Sequence, residues 1–229
     1  PCPGTCGSGE VIYGLPKMEV AAFTVINTYD LPNPTTVNFT QSFESAPLVF
    51  TLPTTQGGDT AAHRIRNMTS AGFQIMTVEP ESEDGPHVAM GLNFLAIEPG
   101  IYVLPDGHRL EACSFDTTLA QQSNGADEWE LIDFVSPFTQ PPAVLGQVQT
   151  MNNEIGKIPS QPSVPWLTTA ISSVAADGAK MALERSETVS GTLSMPERIA
   201  YLAAEPTVGR QFFDVRDRKS TRLNSSHYS

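Results

Sequence analysis

The chain has little with which to hold nucleic acid or run a reaction. Thirteen lysines and arginines face 25 aspartates and glutamates, for a net charge of −12. Phosphate binding needs a basic footprint, so this balance argues against nucleic acid and against anionic membrane surfaces as partners. No apolar run reaches the roughly 18 residues of a spanning helix, so no membrane insertion is expected of this stretch. There is no Gly-x-Ser-x-Gly elbow, phosphate loop, His-Glu-x-x-His pair or dinucleotide fingerprint, and the few histidines stand in separate turn-like contexts. The expectation is a protein that is not an enzyme. Cysteine is scarce too. Cys2-x3-Cys6 is either a small disulfide loop or half of a zinc site, and no second Cys/His pair at ligand spacing completes the latter. Cys113 reads as a buried thiol acting as a small hydrophobe.

What is present is repetition. Met18-Glu19-Val20-Ala21-Ala22-Phe23 returns as Leu110-Glu111-Ala112-Cys113-Ser114-Phe115. Val37-Asn38-Phe39-Thr40-Gln41-Ser42-Phe43, then Pro47 and Val49, returns as Ile132-Asp133-Phe134-Val135-Ser136-Pro137-Phe138, then Pro142 and Val144. Asn93-Phe94-Leu95-Ala96-Ile97-Glu98-Pro99 returns as Ala200-Tyr201-Leu202-Ala203-Ala204-Glu205-Pro206. Order is kept while the spacing grows, so insertions fall between the blocks. A period of about a hundred residues is too long for a solenoid and fits one small domain per copy.

Prolines, 19 of them, are spread through the chain and discourage long helices. Val37, Phe39 and Phe43 alternate with polar neighbours, and Leu48 to Leu52 is a short run of β-formers. Arg64 to Met68 and Phe73 to Val78 flank a turn and read as a hairpin. Ala179 to Arg185 and Glu197 to Ala203 are rich in helix formers and alone would read as helices. Their repeat partners are strand-like, and shared backbone outweighs propensity, so both are expected to be strands. The fold class is therefore all-β, two tandem antiparallel β-sandwiches from an internal duplication. Residues 18–100 form repeat 1, 101–109 a short linker and 110–207 repeat 2. Residues 1–17 are read as the end of a truncated upstream region and 208–216 as the start of a following one. Asn152 to Pro165, the main insertion in repeat 2, reads as an irregular surface loop. Residues 217–227 resemble a translated sequencing adapter, which makes 217–229 a non-biological tail expected not to pack.

The succession Phe39-x3-Phe43-x3-Pro47-x-Val49, Arg64-Ile65-Arg66-Asn67-Met68-Thr69-x2-Gly72-Phe73 and Leu92-x-Phe94-Leu95-Ala96 resembles the H-type lectin domain. It is also similar to tandem modules of large bacterial surface proteins. The resemblance covers both copies. It implies antiparallel sandwiches, galactose-type sugar binding and oligomers of such domains.

The functional expectation is a non-catalytic carbohydrate-binding or adhesion module of a secreted or cell-surface protein. Its partners would be glycans or other surface proteins, and self-association is also considered. The alternative is a structural spacer or assembly module of a surface or pilus-associated protein with no ligand. His63, Arg64 and Arg66 are candidates to present outward cations to sugar hydroxyls, against the plainer reading of a rim salt bridge. Trp166, beside the long insertion, is a candidate stacking platform, and Trp129 a core residue. Glu79, Glu81, Glu83 and Asp84 crowd one loop with His87. Oxygen-rich turns hold calcium, but the alternation of a calcium loop is absent, so a solvated acidic loop is expected and no cofactor.

Overall fold

The computed structural model describes residues 9–26, 34–54, 58–80, 87–121, 128–154, 165–185 and 193–206, with Cys6 and Glu83. The adapter-like tail, 208–216, Cys2, Glu81 and Asp84 lie outside these residues. Fifteen strands carry the described fold: β1 (Val11–Tyr13), β2 (Met18–Val25), β3 (Thr35–Asn38), β4 (Leu48–Pro53), β5 (Ala62–Arg66), β6 (Gly72–Val78), β7 (Met90–Ile97), β8 (Gly100–Val103), β9 (Arg109–Thr117), β10 (Ala120–Gln121), β11 (Glu130–Asp133), β12 (Ala143–Val148), β13 (Leu167–Ser172), β14 (Gly178–Arg185) and β15 (Glu197–Ala204). They form four sheets. Both segments with helix-forming composition are strands, β14 and β15. Each is paired along both edges, so sheet bonding and burial of Met181, Leu183, Ile199 and Tyr201 override propensity.

The first half holds sheets β2-β7-β4 and β3-β6-β5, and the second holds β9-β15-β12 and β11-β14-β13 within larger sheets. Pairing registers follow the repeat alignment. Met18 faces Ile97 as Leu110 faces Ala204, and Leu48 faces Ile97 as Ala143 faces Ala204. Thr35 faces Ile75 as Glu130 faces Met181, and His63 faces Thr77 as Thr169 faces Leu183.

Smaller features repeat with them. The Phe39 N–H donates to Ala71 O and the Phe134 N–H to Asp177 O; Phe43 and Phe138 donate to Ser70 O and Ala176 O. Phe39 and Phe43 pack edge to face at 4.9 Å, Phe134 and Phe138 at 5.1 Å. Lys17 sits over Phe43 and Arg109 over Phe138. Gly72 and Gly178 fill the same place. A Cβ there would stand 2.2 Å from Val37 O or 2.4 Å from Ile132 O, so only glycine lets the strands close.

Each half buries its own core, Phe39, Phe73, Phe94 and Ile75 in the first, Phe115, Phe134, Tyr201 and Met181 in the second. A third cluster joins them. Leu48, Phe50 and Ile97 pack with Tyr102, Leu104, Leu110, Ala112, Ala200 and Leu202, so the outward faces of sheets β2-β7-β4 and β8-β9-β15 meet.

Three expectations need correction. Residues 101–109 are not merely a linker: β8 forms a hairpin with β9 across Leu104 to His108, with Gly107 at φ +87°. Pairing is not wholly antiparallel, since β1 runs parallel to β8 and β10 to β14. Cys113 is not a free thiol. It bonds Cys6 across 107 residues, which also removes the Cys2–Cys6 loop and zinc readings.

Candidate functional site

Two of the residues expected to present a ligand surface, Arg64 and Trp166, instead meet the other half. On β5, Ile65 points into the first core, so Arg64 points out of that sandwich. Outward is not solvent here, because the side chain is completely buried. Arg64 Nε lies 2.7 Å from Glu154 Oε2, and Nη2 stands 3.6 Å from Glu197 Oε2. Glu197 also accepts hydrogen bonds from the Asn152 and Asn153 N–H groups at 2.8 and 3.0 Å, and from Thr150 Oγ1. Three ionisable side chains share one buried site; Glu197 is held by these hydrogen bonds and Arg64 Nε by Glu154, while Arg64 Nη1 and Nη2 are buried with no hydrogen-bond partner among the described residues. The reading of Arg64 as an outward sugar contact is therefore corrected: alternation along β5 assigns its side of the sheet but not what covers that side.

The beginning of the insertion is likewise not a surface loop. Met151 and Glu154 are buried, and Asn153 anchors the chain by accepting from the Ser194 and Met195 N–H groups. Trp166 packs on Ala62, Met76, Val78 and Met151, and its indole N–H donates to Val78 O at 3.1 Å. It is half-buried and tied to the first half. Trp129 is half-buried rather than part of either core.

His63 is partly buried, and its backbone carbonyl accepts from Gln147 Nε2 at 3.2 Å. Burial, with His87 nearby, pushes its pKa down to about 4. Arg66 is half-buried and donates to Gln74 Oε1. Two glutamines of the second half complete the seam. Gln149 accepts from the Val49 N–H at 3.0 Å and donates to Val49 O at 2.7 Å, while Gln147 Oε1 accepts from Thr51 Oγ1. Gln149 thereby occupies the backbone groups of Val49 on β4, while Gln147 bridges the Thr51 hydroxyl and the His63 carbonyl. The second half carries Gln147 and Gln149 where the first has Leu52 and Thr54, a difference that could have flagged the seam.

Of the acidic loop, Glu79 is buried and Glu83 N–H closes a turn on Pro80 O. Among the described residues the grouping at metal-ligand spacing is Cys6, Glu111 and Cys113, and its two sulfurs are joined to each other. Glu111 accepts from Tyr201 Oη at 2.7 Å and from the Val135 N–H, and burial raises its pKa. Its counterpart Glu19 accepts from the Thr40 N–H, so this carboxylate is a structural cap in both halves.

Two clefts remain. One, about 260 Å³, is lined by Pro47, Met68, Ser114, Gln149, Thr150 and Arg198. Arg198 is engaged there by a bidentate pair with Asp116, at 2.8 and 3.2 Å. The other, about 310 Å³, is apolar and lies among Val20, Phe50, Leu52, Leu95 and Leu145. Comparison with protein-family models, characterised proteins and solved structures finds no match.

Proposed function

We propose that the chain is a non-catalytic assembly or adhesion module of a secreted or cell-surface protein, made by internal duplication and locked into one rigid double sandwich. The observation that carries this reading is the fate of the candidate ligand residues. Arg64 and Trp166 are consumed in holding the halves together, and the matching registers support reading the halves as two versions of one unit. A duplicated unit that uses its distinctive polar residues internally is suited to transmitting position. The Cys6–Cys113 disulfide supports an oxidising location.

The resemblance to H-type lectins supports a second reading, carbohydrate binding, with the Arg198 cleft offering amide, hydroxyl and guanidinium groups beside apolar Pro47 and Met68. A glycan array of the full chain, with and without calcium, separates the two. Under the assembly reading no sugar binds at millimolar concentration; specific retention that an Arg198→Ala change removes would replace it with the lectin reading.

A further inference from the structure

The hairpin strand β8 has a counterpart that has gone elsewhere. Gly100-Ile101-Tyr102-Val103-Leu104-Pro105 precedes β9, and Val11-Ile12-Tyr13-Gly14-Leu15-Pro16 precedes β2. The second occurrence is followed by Asp106-Gly107-His108 before Arg109; the first passes straight to Lys17, the counterpart of Arg109 over its phenylalanine ring. Those three absent residues are the turn in which Gly107 takes φ +87° and its N–H closes on Leu104 O. Without them β1 does not fold back on β2. It runs parallel to β8 instead, with Gly14 N–H on Val103 O.

Two edges are left open by this. Among the described residues β2 pairs with β7 alone, whereas its counterpart β9 is covered by β8. β1 pairs with β8 alone, and Tyr13 is 82 % exposed where Tyr102 is buried. The apolar cleft marks the vacated position. Phe50 clusters with Tyr102 and Leu104, while its counterpart Leu145 and the edge residue Val20 are each about half exposed in that cleft. The backbone parity fits as well. Lys17 O accepts from Glu98 N–H, so alternate residues from Lys17 face β7, and Met18 and Val20 turn their amides to the open edge. Gly14 N–H points to β8, so Val11 and Tyr13 face outward from β1, the same parity as Gly100 and Tyr102 facing β9.

We propose that the open edge of β2 takes up β1 of a second copy of this chain, in the register β8 uses on β9: Val11 opposite Val20, Ile12 opposite Glu19 and Tyr13 opposite Met18. The interaction is strand addition, with main-chain bonds giving affinity and Tyr13 and Leu15 entering the apolar cleft. It rests on the equivalence of the halves and not on the choice between assembly and sugar binding.

The test uses the full chain with Cys2→Ser. Sedimentation across concentration should show reversible self-association. Mixing a Val11→Cys chain with a Val20→Cys chain under oxidising conditions should give a disulfide-linked heterodimer, and pairing Val11→Cys with Leu131→Cys should not. Val20→Pro removes only an edge-facing N–H and should weaken association at least tenfold with the β spectrum retained. Val20→Lys, which keeps the backbone donor, should do the same if the proline variant does not fold. A chain that stays monomeric at all concentrations, or cross-links equally through Leu131, overturns the proposal.

Discussion

On β5 the first half carries His63, Arg64 and Arg66; on β13 the second carries Thr169, Ala170 and Ser172 at the same register. Glu197, which faces Arg64, has Met90 as its first-half counterpart, and Gln147 and Gln149 have Leu52 and Thr54. Inward positions, by contrast, are nearly interchangeable: Phe39 with Phe134, Phe43 with Phe138, Phe94 with Tyr201. The difference teaches that the cores share one architecture while the outer faces that meet are complementary to each other. A partner residue on one half is of use only because the other half differs from it.

The largest test of that comparison removes the charge that only one half has. Arg64→Met leaves Glu154 and Glu197 buried without their counter-ion and should cost about 3–5 kcal/mol in urea unfolding. Ala170→Arg, at the matching place on β13, should create no equivalent gain. Next comes pH. The His63 pKa is about 4 when folded against 6.5 when exposed, so in that window the unfolded chain takes up a proton that the folded chain refuses. Stability is fully present above pH 6.5 and falls by roughly 3 kcal/mol as the pH drops to 4, at 1.36 kcal/mol per pH unit. His63→Thr, the residue of the other half, should flatten that slope; an unchanged slope would assign it to other groups.

The shared part of the comparison predicts equality. Gly72→Ala and Gly178→Ala each force a Cβ against a carbonyl, and each should cost about 1–3 kcal/mol. A loss in only one half would mean the two turns are not the same device. The smallest effect belongs to the seam. Trp166→Phe keeps the ring on Met76 and Val78 but loses the bond to Val78 O, about 1 kcal/mol by differential scanning calorimetry.

Much of the fold was legible because a repeat is evidence that no single window contains. Ala179 to Arg185 looks helical in isolation, and only its match to the first half's β6 identifies a strand. The all-β class, the paired aromatics and the position of the hairpins follow from the same comparison. The site was not legible, for a geometric reason. Alternation along β5 shows that Arg64 faces away from Ile65, but not whether the far side meets water or another sheet. Its partners lie 90 residues on, at Glu154, and further still, at Glu197, in segments that no local pattern connects to it. The pairing of Cys113 is hidden in the same way: it sits on a buried strand, and nothing near it in sequence points to Cys6. The edge strands were invisible because a missing three-residue turn registers only once β8 is known to need it.

The Cys6–Cys113 bond also determines how the molecule would bear tension. It closes a covalent ring around β1 to β8 and the start of β9, so the whole of the first sandwich lies inside the ring. A pull entering at Cys6 and leaving beyond β15 passes directly from Cys6 to Cys113 and loads only the second sandwich. Stretching should therefore release a length set by the second half alone. The loop between the cysteines, a sequence separation of 107 and roughly 360 Å of extended chain, would be held back until a reductant opens the ring. A redox change would then act on the same protein as a change in its reach.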